Sequence, residues 1–228
     1  PPGGQPDPLV DVPVDHVVDA LAALDLAGLA AADVVADDLL QRQGDDRLVI
    51  QLPGLQDTAE ANFDFVENRG LAATLPDSVR LRDYSPINVE AGRKLIAERG
   101  LQDTVTFDEV NAYDRTNYQD LQPRPTLGIV SGLHELFADN DLILNSLYGF
   151  GDAIETGGYL IYTGQPWHPQ LEMIARALTS HKAGSPNWVM RRRSQQEMDQ
   201  LVEKAGFEKI HQWIDEDGIF TVSLAVKK

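Results

Sequence analysis

The sequence predicts an α/β fold whose sheet is doubly wound, mostly parallel, and completed by an antiparallel hairpin strand near the C-terminus. From Arg47 on, short apolar runs alternate with segments of helical periodicity, the pattern of parallel strands joined by right-handed helical crossovers. Near the end of the chain, two apolar runs are joined by Asp215-Glu-Asp-Gly218, a sequence typical of a hairpin turn. The last strand is therefore expected to run antiparallel to its neighbour.

The strands are predicted from apolar runs bounded by turn residues. Pro53-Gly54 stops the first run, and Gly157-Gly158 turns the chain into the fifth. The third run, residues 104–110, is rich in β-branched residues, which favour strands. The predicted strands cover residues 47–53, 79–84, 104–110, 126–132, 159–163, 209–214 and 219–225.

Helix boundaries are predicted from capping residues. Ser85-Pro86 supplies an N-cap and a proline suited to the first helical turn, and Gly100 ends that helix. Ser194 and Glu197 have the spacing of a capping box at the start of a later helix. The predicted helices that follow the first strand cover residues 57–68, 86–100, 141–153, 169–180 and 194–206.

The chain has 228 residues and a net charge of −17, and the acidity is concentrated at its start. Residues 1–46 contain ten Asp, no Glu and a single base, Arg42. The spacing of Val and Leu in this stretch predicts amphipathic helices after a Pro- and Gly-rich start. We therefore divide the chain into an acidic helical segment, residues 1–46, and an α/β domain, residues 47–228. The segment is expected to be a cap on the domain, or else a lid or a homodimer contact.

Composition also excludes several classes of protein. A strongly negative field repels phosphate backbones, so nucleic acid is not expected as a partner. No apolar run is long enough for a transmembrane helix, and a cytoplasmic location is expected. The chain has no Cys, and its His residues lack metal-ligand spacing, so no metal site is predicted. The start of the sequence, which lacks Met, indicates a trimmed or internal fragment.

Several segments resemble known enzymes. Residues 155–163 (ETGGYLIYT) and 201–207 (LVEKAGF) resemble the fifth-strand entry and the C-terminal signature of class I S-adenosylmethionine-dependent methyltransferases. More narrowly, residues 82–89 (RDYSPINV), 129–137 (IVSGLHELF) and 162–169 (YTGQPWHP) resemble a bacterial methyltransferase family sometimes fused to α/β-hydrolases. The resemblance covers residues 79–228 and is weak or absent over residues 1–78.

This resemblance implies a seven-stranded methyltransferase-like, or Rossmann-like, sheet and S-adenosylmethionine as cofactor. The implied function is transfer of a methyl group to a small-molecule or lipid-like acceptor. Residues 50–57 depart from the family pattern, because they keep one glycine, Gly54, and carry Gln51 where the family has an acid. The alternative is therefore a methyltransferase-fold protein that acts as a non-catalytic binding or assembly module. A nucleotide-dependent oxidoreductase is a third, more distant hypothesis.

Ligands of open α/β sheets bind beyond the carboxyl ends of the strands, which places four short stretches around one crevice. The resemblance implies that the Asp83 carboxylate accepts hydrogen bonds from the ribose hydroxyls. It also implies that the stretch after the third strand, which begins at Asn111, contacts adenine. The alternatives are a helix-capping role for Asp83 and plain turns for Asn111 and Gly132. The predicted cofactor-binding residues are Gln51, Gly54, Asp83, Tyr84, Asn111, Ala112, Ser131, Gly132 and Leu133.

A general base is needed only if the acceptor must lose a proton. His134 and His168 are the predicted catalytic residues, with Glu135 as a further candidate. Tyr162 and Trp167 are expected to shape the acceptor pocket. Residues 191–193, three consecutive arginines, are interpreted as a solvated run or as a clamp for an anionic substrate or a phospholipid head group.

Overall fold

The computed structural model describes residues 47–51, 78–177, 191–214 and 217–228. The acidic segment, residues 1–46, lies outside the described residues, as do Gly54 and the predicted helix over residues 57–68. The strands are β1 (Arg47–Gln51), β2 (Ser78–Asp83), β3 (Val105–Glu109), β4 (Leu127–Val130), β5 (Tyr159–Gly164), β6 (Phe207–Ile214) and β7 (Thr221–Lys227). The helices are α1 (Pro86–Glu98), α2 (Asn140–Ala153), α3 (Leu171–Ala177) and α4 (Gln195–Lys204).

The described strands pair in the order β3-β2-β1-β4-β5-β7-β6. β1 to β5 run parallel, whereas β7 is antiparallel to both β5 and β6, as the hairpin signal predicts. The strand order reverses between β1 and β4: β2 and β3 lie on one side of β1, whereas β4 and β5 lie on the other. Such a switch point opens a crevice at the carboxyl ends of the strands. The fold therefore places the ends of β2, β3, β4 and β5 along one edge.

The main core lies between the sheet and the helices α2 and α4. Its members are apolar side chains almost without exposure, including Ile143, Leu147, Phe150, Leu201 and Phe207. Gly149 of α2 allows this helix to approach the 3₁₀ turn Arg115–Tyr118 closely, because a Cβ at Gly149 would lie 2.3 Å from the Tyr118 ring. That ring in turn packs on Phe150, with ring centroids 5.2 Å apart.

Local signals predicted the helix starts well and the strand ends less well. Ser85 caps α1 and Pro86 is its first residue, as predicted. Ser194 caps α4, because its hydroxyl accepts from Glu197 N at 3.2 Å. The second hydrogen bond of a capping box would join Ser194 N to the Glu197 carboxylate, but that carboxylate binds Arg191 and Asn140 instead. β6 starts two residues before its predicted run and ends with it, whereas both ends of β7 lie two residues later than predicted, because backbone pairing extends beyond the apolar residues.

We expect Gly149→Ala to lower the free energy of unfolding by about 1–2 kcal/mol. Alanine favours a helix by roughly 1 kcal/mol over glycine, but a Cβ at 2.3 Å from the buried Tyr118 ring belongs at the upper end of the overpacking cost, about 2–3 kcal/mol. Denaturant unfolding measures the change, and Asn145→Ala on the exposed side of α2 is the control. Equal or greater stability of Gly149→Ala would contradict this close packing.

Candidate functional site

The candidate site lies at the carboxyl edge of the parallel strands. Asp83 ends β2, Asn111 and Ala112 follow β3, and the stretch 131–133 follows β4. The register aligns these ends, because Gln51 of β1 pairs with Arg82 on one side and Val130 on the other. The structure thus brings the predicted cofactor-binding residues it describes to one edge of the sheet.

Asp83 is fully buried and already makes hydrogen bonds within the protein. Its Oδ1 accepts from Ser85 N at 2.8 Å, and its Oδ2 accepts from Asn88 Nδ2 at 3.0 Å. These contacts are those of the capping alternative. A carboxylate has about four acceptor positions, and these two contacts fix the orientation of the group. The next residue, Tyr84, is 59% exposed.

The segment after β3 is held by a buried guanidinium. Arg82 is 1% exposed; its Nη2 donates to Asn117 O at 2.8 Å, and its guanidinium lies 4.2 Å from the centroid of the Tyr118 ring. Burial lowers the pKa of Arg82. Asn117 and Tyr118 then donate to the main-chain oxygens of Asn111 and Ala112, at 3.0 and 3.1 Å. Asn111 is exposed, and its Oδ1 accepts from Tyr113 N, the turn contact of the alternative interpretation.

The segment after β4 opens the backbone toward the crevice. Gly132 has φ 66°, and a Cβ built there would meet no atom within 4 Å. Its N–H donates to Thr163 Oγ1 at 2.8 Å, and Thr163 donates in turn to Glu135 Oε1 at 2.6 Å. Ser131 and Gly132 are half-buried, whereas Leu133 is buried in the core.

Glu135 has a buried carboxyl group in which one oxygen has no hydrogen-bond partner among the described residues. The residue is 7% exposed, and no described residue donates a hydrogen bond to its Oε2. Leaving such an oxygen unpartnered costs about 1–3 kcal/mol. Burial raises the pKa of Glu135, and the Thr163 hydrogen bond and the charges of Arg192 and Arg193 oppose this only in part.

The two predicted catalytic histidines have partners within the protein. His134 is 3% exposed, and its Nε2 lies 3.1 Å from Ser146 Oγ of α2. Burial, reinforced by the charge of Arg193, lowers the pKa of His134 to about 3. His168 is half-buried, and its Nδ1 accepts from Gln170 N at 3.0 Å in the turn before α3.

The two predicted acceptor-pocket residues differ in burial and in partners. Tyr162 is buried and donates to Asp199 Oδ1 of α4 at 3.0 Å, and Lys209 pairs with the other oxygen of that carboxylate. Burial raises the pKa of Tyr162, and Asp199 adds to this. Trp167 is 53% exposed beyond the end of β5. Tyr162 thus joins the sheet to α4, whereas Trp167 is at the surface.

One interpretation of the sequence was that residues 191–193 form a solvated run. The structure does not agree, because the three arginines differ in burial and Arg193 is buried. Arg193 is 7% exposed and donates to Asn140 Oδ1, His134 O and Phe137 O at 2.8, 2.9 and 2.8 Å. Arg191 pairs with Glu197 and donates to Ala138 O at 3.2 Å. Sequence reasoning missed the buried role of Arg193 because all its acceptors are more than fifty positions away in the chain.

A small pocket opens beside the end of β5, next to the arginine run. It is lined by His134, Glu135, Thr163, Gly164, Gln165, Arg191, Arg193, Ser194, Gln195 and Met198.

In the described part of the chain, no three His, Cys, Asp or Glu side chains form a group that would hold a metal ion. No helix there has the length and apolar character to cross a membrane.

Sequence comparison assigns most of the chain to one family. A family model described as "Putative methyltransferase" matches residues 63–227. A model of the N-terminal part of the P1 domain of the protein translocase subunit SecDF matches only residues 34–63. Over 150 residues, 66% of the chain, the sequence is 60% identical to the uncharacterized protein YnbC of Escherichia coli (strain K12). That match is 26% of YnbC, so the chain spans about a quarter of this relative.

Solved structures show the fold. Magnesium protoporphyrin IX methyltransferase (ChlM) from Synechocystis PCC 6803, with bound SAH, aligns with a TM-score of 0.60 at 12% identity over 100% of this chain and 90% of ChlM. A SAM-dependent methyltransferase from Methanosarcina mazei aligns with a TM-score of 0.58 at 17% identity over 82% of this chain and 94% of that one. Since the family model spans residues 63–227, the chain belongs to the "Putative methyltransferase" family, with the α/β fold of class I S-adenosylmethionine-dependent methyltransferases.

Proposed function

We propose that the protein transfers a methyl group from S-adenosylmethionine to a small-molecule or lipid-like acceptor. The observation that carries this proposal is the edge of the sheet at the switch point. In a chain of a methyltransferase family, that edge brings together the Asp83 carboxylate and the open backbone at Gly132. The fold of the two methyltransferases above, one of them solved with bound SAH, supports it. With it we propose the complete seven-stranded sheet, and a cytoplasmic location stays a prediction.

The described residues fit such a cofactor in their chemistry. Asp83 offers an acceptor to ribose hydroxyls, and the exposed Asn111 amide offers both a donor and an acceptor to a base edge. The exposed Tyr84 ring offers a stacking surface, and the main chain around Gly132 leaves room for a ligand. When bound, the cofactor supplies an electrophilic methyl group on a positively charged sulfur.

A second candidate is a non-catalytic binding or assembly module of the same fold. Two observations favour it. Both oxygens of Asp83 already accept hydrogen bonds from the start of α1. β1 ends in Gln51, where an acid is expected from the resemblance. Measured binding of the cofactor product separates the two candidates.

We expect wild-type protein to bind S-adenosylhomocysteine and Asp83→Asn to bind it about 10- to 100-fold more weakly. A hydrogen bond to a charged group contributes roughly 1.5–3 kcal/mol, which corresponds to this range of affinity. Isothermal titration calorimetry measures both proteins, after circular dichroism shows that they are folded. Ser85→Ala, which perturbs the same helix cap but keeps the carboxylate, is the control.

Equal affinity of folded Asp83→Asn and wild type would rule out the ribose role of Asp83. Absence of binding by the wild type would favour the non-catalytic module.

Gly132→Ala should weaken binding of S-adenosylhomocysteine by more than its effect on stability explains. The substitution places a Cβ in the open space of the crevice and forces alanine into the left-handed region, at roughly 1–2 kcal/mol. Gly100 has φ 69° and equally open surroundings at the end of α1, so Gly100→Ala is a matched control. Denaturant unfolding should show similar losses for both, and calorimetry a binding loss for Gly132→Ala alone. Equal binding by the two variants would place Gly132 outside the cofactor site.

A further inference from the structure

We infer that the pocket beside β5 is the acceptor subsite and that Glu135 Oε2 takes the proton of an acceptor hydroxyl group. This inference rests on the proposed methyltransferase function and names the acceptor as an alcohol or phenol. The pocket includes Glu135, Thr163, Gln165, Arg193 and Met198, so polar groups and an apolar side chain both face it.

Glu135 lines this pocket, and its Oε2 is a buried oxygen with no hydrogen-bond donor among the described residues. The Arg193 guanidinium is already bonded to two main-chain oxygens and Asn140, and Arg191 is paired with Glu197. Gln195 accepts from Thr221 and donates to Asp199 and Ser223. Oε2, in contrast, is shielded from water and has no hydrogen-bond partner among the described residues. Buried polar atoms in proteins are nearly always satisfied, so an unsatisfied one in a pocket points to a ligand.

The hydrogen bonds around Glu135 determine what that ligand must supply. The N–H of Gly132 occupies Thr163 Oγ1 as a donor, and the Thr163 hydroxyl donates its hydrogen to Oε1. Oε1 therefore stays an acceptor, and any proton gained by this carboxyl resides on Oε2. A hydroxyl group that donates to Oε2 satisfies the oxygen and is positioned to lose its proton there.

Glu135 is also a better base than His134. Burial raises its pKa, and a carboxylate with a raised pKa has a greater affinity for a proton near neutral pH. The charged and titratable groups that face it are Arg192, Arg193 and Tyr113. His134, in contrast, contacts Ser146 and has a pKa of about 3.

The proposed step balances as follows. The acceptor O–H bond breaks and its proton passes to Glu135 Oε2. The electron pair left on the acceptor oxygen forms the bond to the methyl carbon that S-adenosylmethionine supplies. The sulfur keeps the electron pair of the broken carbon–sulfur bond and becomes neutral.

The test uses the full chain labelled with ¹³C at the Glu side-chain carboxyl carbon. The Glu135 resonance is identified by its loss in Glu135→Gln, or by its shift in Thr163→Val if the first variant does not fold. Matched probes, phenol against anisole and 1-hexanol against 1-methoxyhexane, differ in the hydroxyl hydrogen. We expect the hydroxyl probes to shift the Glu135 resonance, with and without S-adenosylhomocysteine, and their methyl ethers to leave it in place. Equal shifts from both members of each pair, or none from any probe, would overturn the inference.

The rate of methyl transfer provides a second test of the inference. Single-turnover methylation of the hydroxyl probes should fall by about 10²- to 10⁴-fold in Glu135→Gln, while affinity for S-adenosylhomocysteine stays within twofold of wild type. The wild-type rate should decline as pH falls through the pKa measured from the Glu135 resonance, and the residual rate of the variant should not. Glu90→Gln, exposed on α1, is the control for loss of a carboxylate. Wild-type protein that binds no S-adenosylhomocysteine contradicts the proposed function, whereas the probe shifts still decide the role of Glu135.

Discussion

The buried guanidinium of Arg193 is the contact on which the arrangement of the site depends. It donates to the main-chain oxygens of His134 and Phe137 and to the side chain of Asn140, the first residue of α2. Three parts of the chain meet there: the segment after β4, the start of α2 and the start of α4. A planar group with donors on three nitrogens can satisfy three divergent acceptors at once, which the single ammonium of lysine cannot do with the same geometry. The position of Glu135 follows from that anchor.

A second buried arginine has the same function on the other side of the switch point. Arg82 supports the segment after β3 through Asn117 and the Tyr118 ring. Loops carry the functional groups of α/β sheets, but irregular backbone has few internal hydrogen bonds of its own. Long cationic side chains that reach from a strand or from the start of a helix supply the missing donors. The two loops that border the crevice are thus held by hydrogen bonds from buried arginines.

The parts of the fold that depend on neighbouring residues could be predicted from the sequence. The Ser85-Pro86 helix start and the terminal hairpin are examples, because a cap or a turn is decided within a few residues. The side-chain roles could not be predicted in this way. Glu197 fits a capping box by spacing, yet Arg191 and Asn140 take its carboxylate. His134 follows a strand, where a base is expected, yet the fold turns its ring to Ser146. These outcomes depend on contacts between distant positions, which local patterns do not contain.

Thr163 connects the two halves of the candidate site. Its hydroxyl accepts from the Gly132 main chain on the proposed cofactor side and donates to Glu135 on the proposed acceptor side. A hydroxyl has a single hydrogen, so its donation to Oε1 leaves the other carboxyl oxygen for a ligand. The hydrogen bond to Gly132 also fixes the backbone where the left-handed glycine turns away from β4. The same side chain therefore sets the distance between the glycine and the carboxyl group. An acceptor atom held by Glu135 is in this way kept in register with a cofactor held beside Gly132, and such positioning supplies much of the acceleration in a displacement between two bound reactants.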